Sequence, residues 1–261
     1  MSSLTRVLPL PMAGRHAPRI IERNLMVYRR TWIVLFSGFF EPLFYLLGLG
    51  YGLGQIIGTV DGVPYAAFVA PALLATSAMN GAIYDSTFNL FYKLKYAKTY
   101  DAMLATPLGV ADVAVGEVTW ALTRGAIYAV GFMAVMLLLG LVRSPLALLA
   151  VPASLLIGFA AAGLGTAATT FVRKWQDFDL VFVITLPLFL FSATFFPITT
   201  YSEPLRTFVE LTPLYRGIHL LRDLSAGVLE PSMLLDAGYL LALGMVGATI
   251  TSRRLGRLLL K

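Results

Sequence analysis

The sequence predicts an all-α polytopic membrane protein, and three observations carry that expectation. Of its 261 residues, 58% are hydrophobic and only 13% charged, about half the charged share of a soluble domain. The apolar residues come in blocks of about 20, the length of helix that crosses a bilayer. The basic residues fall in the segments between those blocks, as membrane insertion requires, so the net charge of +6 reads as topology and no nucleic-acid partner is expected.

Taken in order, residues Met1 to Met12 are broken by Pro9 and Pro11 and have no continuous apolar core or small-residue cleavage site, so no removed signal peptide is expected. Arg15 to Arg30 carries five arginines, with Ile20, Ile21, Leu25 and Tyr28 near helical spacing. That pattern predicts an amphipathic helix over 15–30 lying in the membrane interface. Six spans follow, at about Trp32 to Ile57, Tyr65 to Tyr92, Val113 to Val142, Leu146 to Val172, Phe178 to Ile198 and Met233 to Thr251. Fifteen of the 20 Lys and Arg residues lie before the first span, between spans two and three, between four and five, or after the sixth. By the positive-inside rule that side is cytoplasmic and holds both termini.

The connections differ in character. The first outer loop, Gly54 to Pro64, is short and glycine-rich, while the third, 197–232, is long enough to hold structure of its own. Within it, Glu203 to Leu211 reads as a short helix with Pro204 in its first turn and Arg206 and Glu210 at i, i+4. Pro213 ends that helix, and Leu214, Ile218, Leu221 and Leu224 then make the apolar face of a second one, opposite Arg216, His219, Arg222 and Asp223. The pair predicts a re-entrant helical hairpin sheltered by protein. On the inner side, the link over 93–109 mixes Tyr96, Tyr100, Met103 and Leu104 with charge and ends at Pro107. It predicts a short helix along the membrane surface, whose aromatics equally suit lipid anchoring.

No catalytic apparatus is visible. The chain has no cysteine and only His16 and His219, so no metal site is expected. It has no G-x-x-x-x-G-K-[ST] phosphate loop, G-x-S-x-G or H-E-x-x-H. No cofactor is expected in this chain, and any ATP it uses is bound by a partner. Charges inside spans are Glu41, Asp85, Glu117 and Arg124, each a functional candidate because burial at the bilayer centre costs about 3 kcal/mol or more. Glu41 is expected to line a cavity, to pair with a basic residue or to be neutralised by burial. Glu117 and Arg124, seven residues apart on one face, are separated by roughly 10 Å along the axis and need bridging partners. Small residues recur at helix-packing intervals in the first span (Gly48/Gly52, Gly50/Gly54) and the fourth (Gly158/Ala162, Ala161/Gly165/Thr169). There is no internal repeat of the kind typical of secondary transporters.

The run SATFFPITTYSEPLRTFVELTPLYRGIHLLRDL, Ser192 to Leu224, resembles the signature of the ABC type-2 transporter permeases, in which a Phe-Phe-Pro turn precedes a re-entrant hairpin ending near an arginine. EPLFYLLGLGYGLG (Glu41 to Gly54) and TYDAMLATPLG (Thr99 to Gly109) are similar to the nodulation-factor and lipooligosaccharide exporter branch of that family. The resemblance implies a single permease domain over 1–261, in a bacterial cytoplasmic membrane, that dimerises and docks two ATPase subunits, with ATP and Mg in those subunits. It implies a coupling helix in the inner link, with Tyr96, Tyr100, Asp101, Leu104 and Pro107 at the ATPase contact. It implies a hairpin built on Pro197, Pro213, Arg216 and Arg222. The cargo it implies is a lipid-linked or amphipathic glycan. First- and fifth-span residues then line the path, with Phe39, Glu41, Tyr45, Phe189, Phe195 and Phe196 as candidates, since aromatic faces suit sugar rings and acyl chains alike. The alternatives are a drug-efflux permease of the same family, or an ion-coupled carrier or lipid-modifying enzyme built on Glu41 and Asp85.

Overall fold

The computed structural model describes residues 16–30 and 40–259. The N-terminal segment to Arg15, the start of the first expected span and the candidate Phe39 lie outside them. The described chain is a helical bundle: α1 (Ala17–Arg30), α2 (residues 40–57, π-wound over Leu46–Leu53), α3 (Tyr65–Tyr96), α4 (Thr99–Leu104), α5 (Val110–Leu138), α6 (Pro145–Thr169, opening in a 3₁₀ turn), α7 (Asp179–Phe191), α8 (Glu203–Glu210), α9 (Pro213–Ala226) and α10 (Ser232–Leu259). A two-residue hairpin turn joins α2 to α3, with Thr59 and Val60 (β1) antiparallel to Val63 and Pro64 (β2). Asp61 and Gly62 take φ of 51° and 75°, as a type I′ turn requires, and Asp-Gly is the dipeptide suited to it.

Among the described residues four helices, α3, α5, α6 and α10, are long and apolar enough to cross a membrane. The fifth apolar block is helical for a shorter stretch than expected. α7 spans 13 residues, about 20 Å against a hydrocarbon core of about 30 Å. It stops because Ser192 leaves the helical region and Ala193 takes a left-handed φ of 57°. In the opposite sense, α3 outruns its block: its 32 residues make about 48 Å of helix, so one end projects beyond the hydrocarbon. That end winds as π-helix over Asp85–Asn89 and Tyr92–Tyr96.

α3 is the central helix. Val69, Ala70, Leu73 and Leu74 are buried with α5's Phe132 and Met136 and with Leu214, Ile218 and Leu221 of α9. Around it, glycines set how closely helices approach. A Cβ on Gly163 of α6 would stand 2.5 Å from the carbonyl oxygen of Gly244 on α10, so the two backbones touch where small residues admit them. Thr166 and Thr251 add a hydrogen bond of 2.9 Å across that seam. Gly165 lies against Ser86 of α3, and Thr169 Oγ1 donates to the Ser86 carbonyl at 2.9 Å. The fourth-span small residues thus serve packing within one chain, whereas Gly48 of α2 has open space beside it.

Candidate functional site

Two regions hold the residues singled out by sequence. In the first, at the projecting end of α3, Lys98 turns the chain with a left-handed φ of 47° and α4 follows at once. Its sequence TYDAML puts Tyr100 and Met103 on one face at i, i+3 spacing, and that face is buried against Ile20 of α1, Leu90 of α3, Val110, Val113 and Ala114 of α5, and Leu255 of α10. Half-buried Leu104, at i+4 from Tyr100, packs on the same cluster, while Asp101 on the other side of the helix and Pro107 just beyond it are exposed. Tyr96, also exposed, belongs to α3 and packs on Phe91 and Trp175.

Tyr100 corrects the sequence-based assignment. It is fully buried, so it is the peg that holds α4 and not a contact for another subunit. Burial, with the Glu117 carboxylate adding to it, pushes its hydroxyl well above the usual tyrosine range.

Next to this cluster lies a buried polar network that joins α1, α3 and α5. Lys93 Nζ donates to Glu117 Oε2 at 2.7 Å. Arg124 Nη1 donates to Asp85 Oδ1 at 3.1 Å and to the Tyr28 hydroxyl at 3.3 Å, while its Nε donates to the Tyr128 hydroxyl at 2.8 Å. Asn89 Nδ2 donates to the Tyr28 hydroxyl at 2.6 Å and to Asp85. The rings of Tyr84, Tyr28 and Tyr128 surround the guanidinium at 5.0–5.6 Å, a cation–π cage that supplements the ion pair. Glu117 and Arg124 therefore do not share a bridge; each has its own partner on α3. Lys93, counted among the inner-loop charges by sequence, is instead buried. The signal that locates it is the spacing Asp85, Asn89, Lys93, one face of a helix at i, i+4, i+8.

Five buried polar atoms in this region lack a hydrogen-bond partner among the described residues: Asn24 Nδ2, Asp85 Oδ2, Tyr100 Oη, Glu117 Oε1 and Trp120 Nε1.

The second region is the turn after α7 and the helices α8 and α9. Arg222 Nη2 donates to the carbonyls of Ala193 and Thr194 at 2.7 and 3.3 Å, and its guanidinium lies 3.9 Å from the centre of the Phe68 ring. It thus holds the left-handed turn against α3. Tyr65 donates to the Phe195 carbonyl at 3.1 Å. α9 begins at Pro213, with Thr212 Oγ1 accepting from Tyr215 N–H, an N-cap of the expected kind. Arg216 meets Asp236 of α10 at 3.0 Å, and Asp236 also holds His219 at 2.8 Å. Pro197 precedes a 3₁₀ turn and α8 follows, with Arg206 paired to Glu210 at 2.8 Å.

Of the aromatic path candidates, the structure brings together Tyr45, Phe189 and Phe195, whose ring centres are 5.1–6.3 Å apart. Phe189 is buried in the main core, so its role is packing, which corrects its assignment to a path surface. Phe196 pairs with Tyr201 instead. Glu41 is exposed on α2 and enters no ion pair with a described residue. Among the described residues no group of three metal-binding side chains assembles.

Comparison with known proteins identifies the chain's relatives. The ABC-2 type transporter family matches residues 19–224. Nodulation protein J of Rhizobium leguminosarum bv. viciae is 32% identical over 258 residues, covering 96% of this chain and 99% of that protein. Nodulation protein J of Sinorhizobium fredii (strain NBRC 101917 / NGR234) is 33% identical over 205 residues, covering 77% and 78%. That of Rhizobium meliloti (strain 1021) is 31% identical over 224 residues, covering 85% of each. With its membrane-length helices and a match across most of its length, this chain belongs to the ABC-2 type transporter family, on the branch of the Nodulation protein J proteins, as a multi-pass bacterial membrane protein and the membrane component of a transporter.

Proposed function

We propose that this chain is the permease half of an exporter that moves a lipid-linked or amphipathic glycan, with ATP and Mg bound by a separate ATPase subunit. The full transporter in this reading holds two permease copies and two ATPase copies, each permease crossing the membrane six times with both termini in the cytoplasm and 197–232 forming a re-entrant hairpin on the far side. The spans beyond the four long helices are the first, of which α2 is the described part, and the fifth, made of α7 with the turn that follows it. The lipooligosaccharide-like cargo rests on the resemblance to the Nodulation protein J branch.

The observation that carries the reading is the two-faced character of α4. Its inner face is pegged by Tyr100 and Met103, with Leu104 partly packed on the same cluster, to α1, α5 and α10, while Asp101 and, just past the helix, Pro107 are exposed. A short helix fixed on one side and open on the other acts as a rigid lever: force applied by a closing ATPase pair reaches the spans through packed side chains rather than being lost in loop motion. Next to it, the Lys93–Glu117 ion pair ties α3 to α5.

The test is purification of the tagged chain from its native membrane in mild detergent, with partners identified and ATP hydrolysis assayed. A stoichiometric nucleotide-binding partner is expected, and the double substitution Asp101→Ala/Leu104→Ala is expected to abolish transport-coupled hydrolysis while the chain stays folded. A lone chain that transports or modifies lipid without ATP would overturn the reading. Accumulation of a glycolipid, rather than drug sensitivity, on deletion of the gene separates glycan cargo from drug cargo.

A further inference from the structure

The projecting end of α3 and the 3₁₀ turn ahead of α7 share a continuous cluster of aromatic rings. Phe88 lies 4.6 Å from Phe178, Phe91 lies 5.0 Å from Phe178 and 6.1 Å from Trp175, and Tyr96 lies 6.3 Å from Trp175 and 6.1 Å from Tyr92, centre to centre. The rings are sorted by chemistry. Phe91 and Phe178 are buried, 1% and 2% exposed, whereas Tyr84, Tyr92, Tyr96 and Trp175, each with a polar edge, are 47–61% exposed. None of those three hydroxyls, nor the indole N–H, is hydrogen-bonded to a described residue. Exposed Lys95, Lys98, Arg173 and Lys174 flank the cluster.

Rings that only anchor a helix in lipid have no need to be braced by one another. Here Tyr96 and Trp175 are backed by buried Phe91 and Phe178, and Tyr92 stacks on Tyr96, so the ridge presents aromatic faces next to polar edges that bond no described residue. Such a surface matches a pyranose: C–H groups of a sugar face stack on the ring, hydroxyls reach tyrosine and indole edges, and nearby ammonium and guanidinium groups favour an anionic substituent.

We propose that the Tyr92–Trp175 ridge is a sugar-binding platform where the glycan part of the cargo docks on the inner side before transport. This rests on the exporter reading for its meaning but not for its test, which needs no ATP. The full chain in lipid nanodiscs is titrated with n-octyl β-D-maltoside below its micelle concentration, and with n-octyl phosphocholine as the matched lipid-like probe. Intrinsic fluorescence is followed, with Trp175→Phe used to assign the signal.

A saturable change with the maltoside, absent with the phosphocholine and assigned to Trp175, is expected, with affinity at least ten-fold weaker in Tyr92→Ala. Tyr92→Phe, which keeps the ring, is expected to lose less. An equal response to both probes would make the ridge a lipid anchor and overturn the platform, as would an isotherm unchanged by Tyr92→Ala in a chain that still purifies as a monodisperse species. Sugar-selective binding by a chain that captures no ATPase leaves the platform standing and removes the exporter; capture of the ATPase without sugar selectivity does the reverse.

Discussion

Asp85 and Arg124 form a salt bridge of 3.1 Å with side chains only 2% and 3% exposed, although they are 39 residues apart in sequence. The pair joins the projecting end of α3 to the middle of α5; the Tyr28 hydroxyl accepts from Arg124 and Asn89 donates to Asp85. A pair so deeply buried gives little net stability, because desolvation offsets most of the attraction, yet removing one partner strands the other.

Arg124→Leu or Asp85→Leu alone is therefore expected to destabilise the chain by about 3–5 kcal/mol. The double substitution Asp85→Leu/Arg124→Leu should recover a large part of that loss. Denaturant titration in detergent, followed by helix content, checks it; additive losses in the double variant would show that the two residues act separately.

Tyr100 offers a contrast between ring and hydroxyl. Tyr100→Ala empties a fully buried site and should cost about 3–5 kcal/mol and release α4. Tyr100→Phe removes only a hydroxyl that has no partner among the described residues, so thermal stability should hold or rise. Hydrogen exchange over residues 99–104 reads both outcomes.

The seam between α6 and α10 is expected to tolerate no side chain at Gly163 or Gly247, where the two backbones touch. Gly247→Leu drives a branched group into the backbone of Gly163, and the variant should fail to reach the membrane folded. Gly48→Leu, with open space beside it, should accumulate normally in the same membrane-fraction assay.

The turn ahead of α7 should respond to acid. Asp177 accepts from the backbone N–H groups of Arg173 and Lys174 at 2.8 and 3.0 Å, which holds its carboxyl below the usual carboxylate range. A depressed folded pKa means that the stabilisation is complete above the ordinary value of about 3.9 and is lost as pH falls through the lower folded value. Trp175 emission should therefore shift below about pH 4, and Asp177→Asn should abolish that transition. An identical acid transition in Asp177→Asn would assign it to other groups.

Elements with strong local patterns are legible in the amino-acid sequence alone. The arginine-rich stripe of α1, the proline-started α8 and α9, and the buried row Leu214, Ile218, Leu221 and Leu224 all follow from helical periodicity and caps read along a single segment. The end of α7 is not legible in that way, because Ser192, Ala193 and Thr194 carry no strong turn signal; the left-handed Ala193 is held by Arg222, far along the chain on α9.

What the sequence determined by itself is the solvent of this protein and the lengths of its apolar blocks, because each is a sum over neighbouring residues. What only the tertiary structure decided is which residues meet: Lys93 with Glu117, Asp85 with Arg124, and Tyr100 turned inward beneath α4. The physical reason is that α3 and α5 are apolar nearly all round, so no amphipathic stripe tells which face a charge will occupy. Glycine contacts set how the helices cross, and the crossing then fixes each charge's partner.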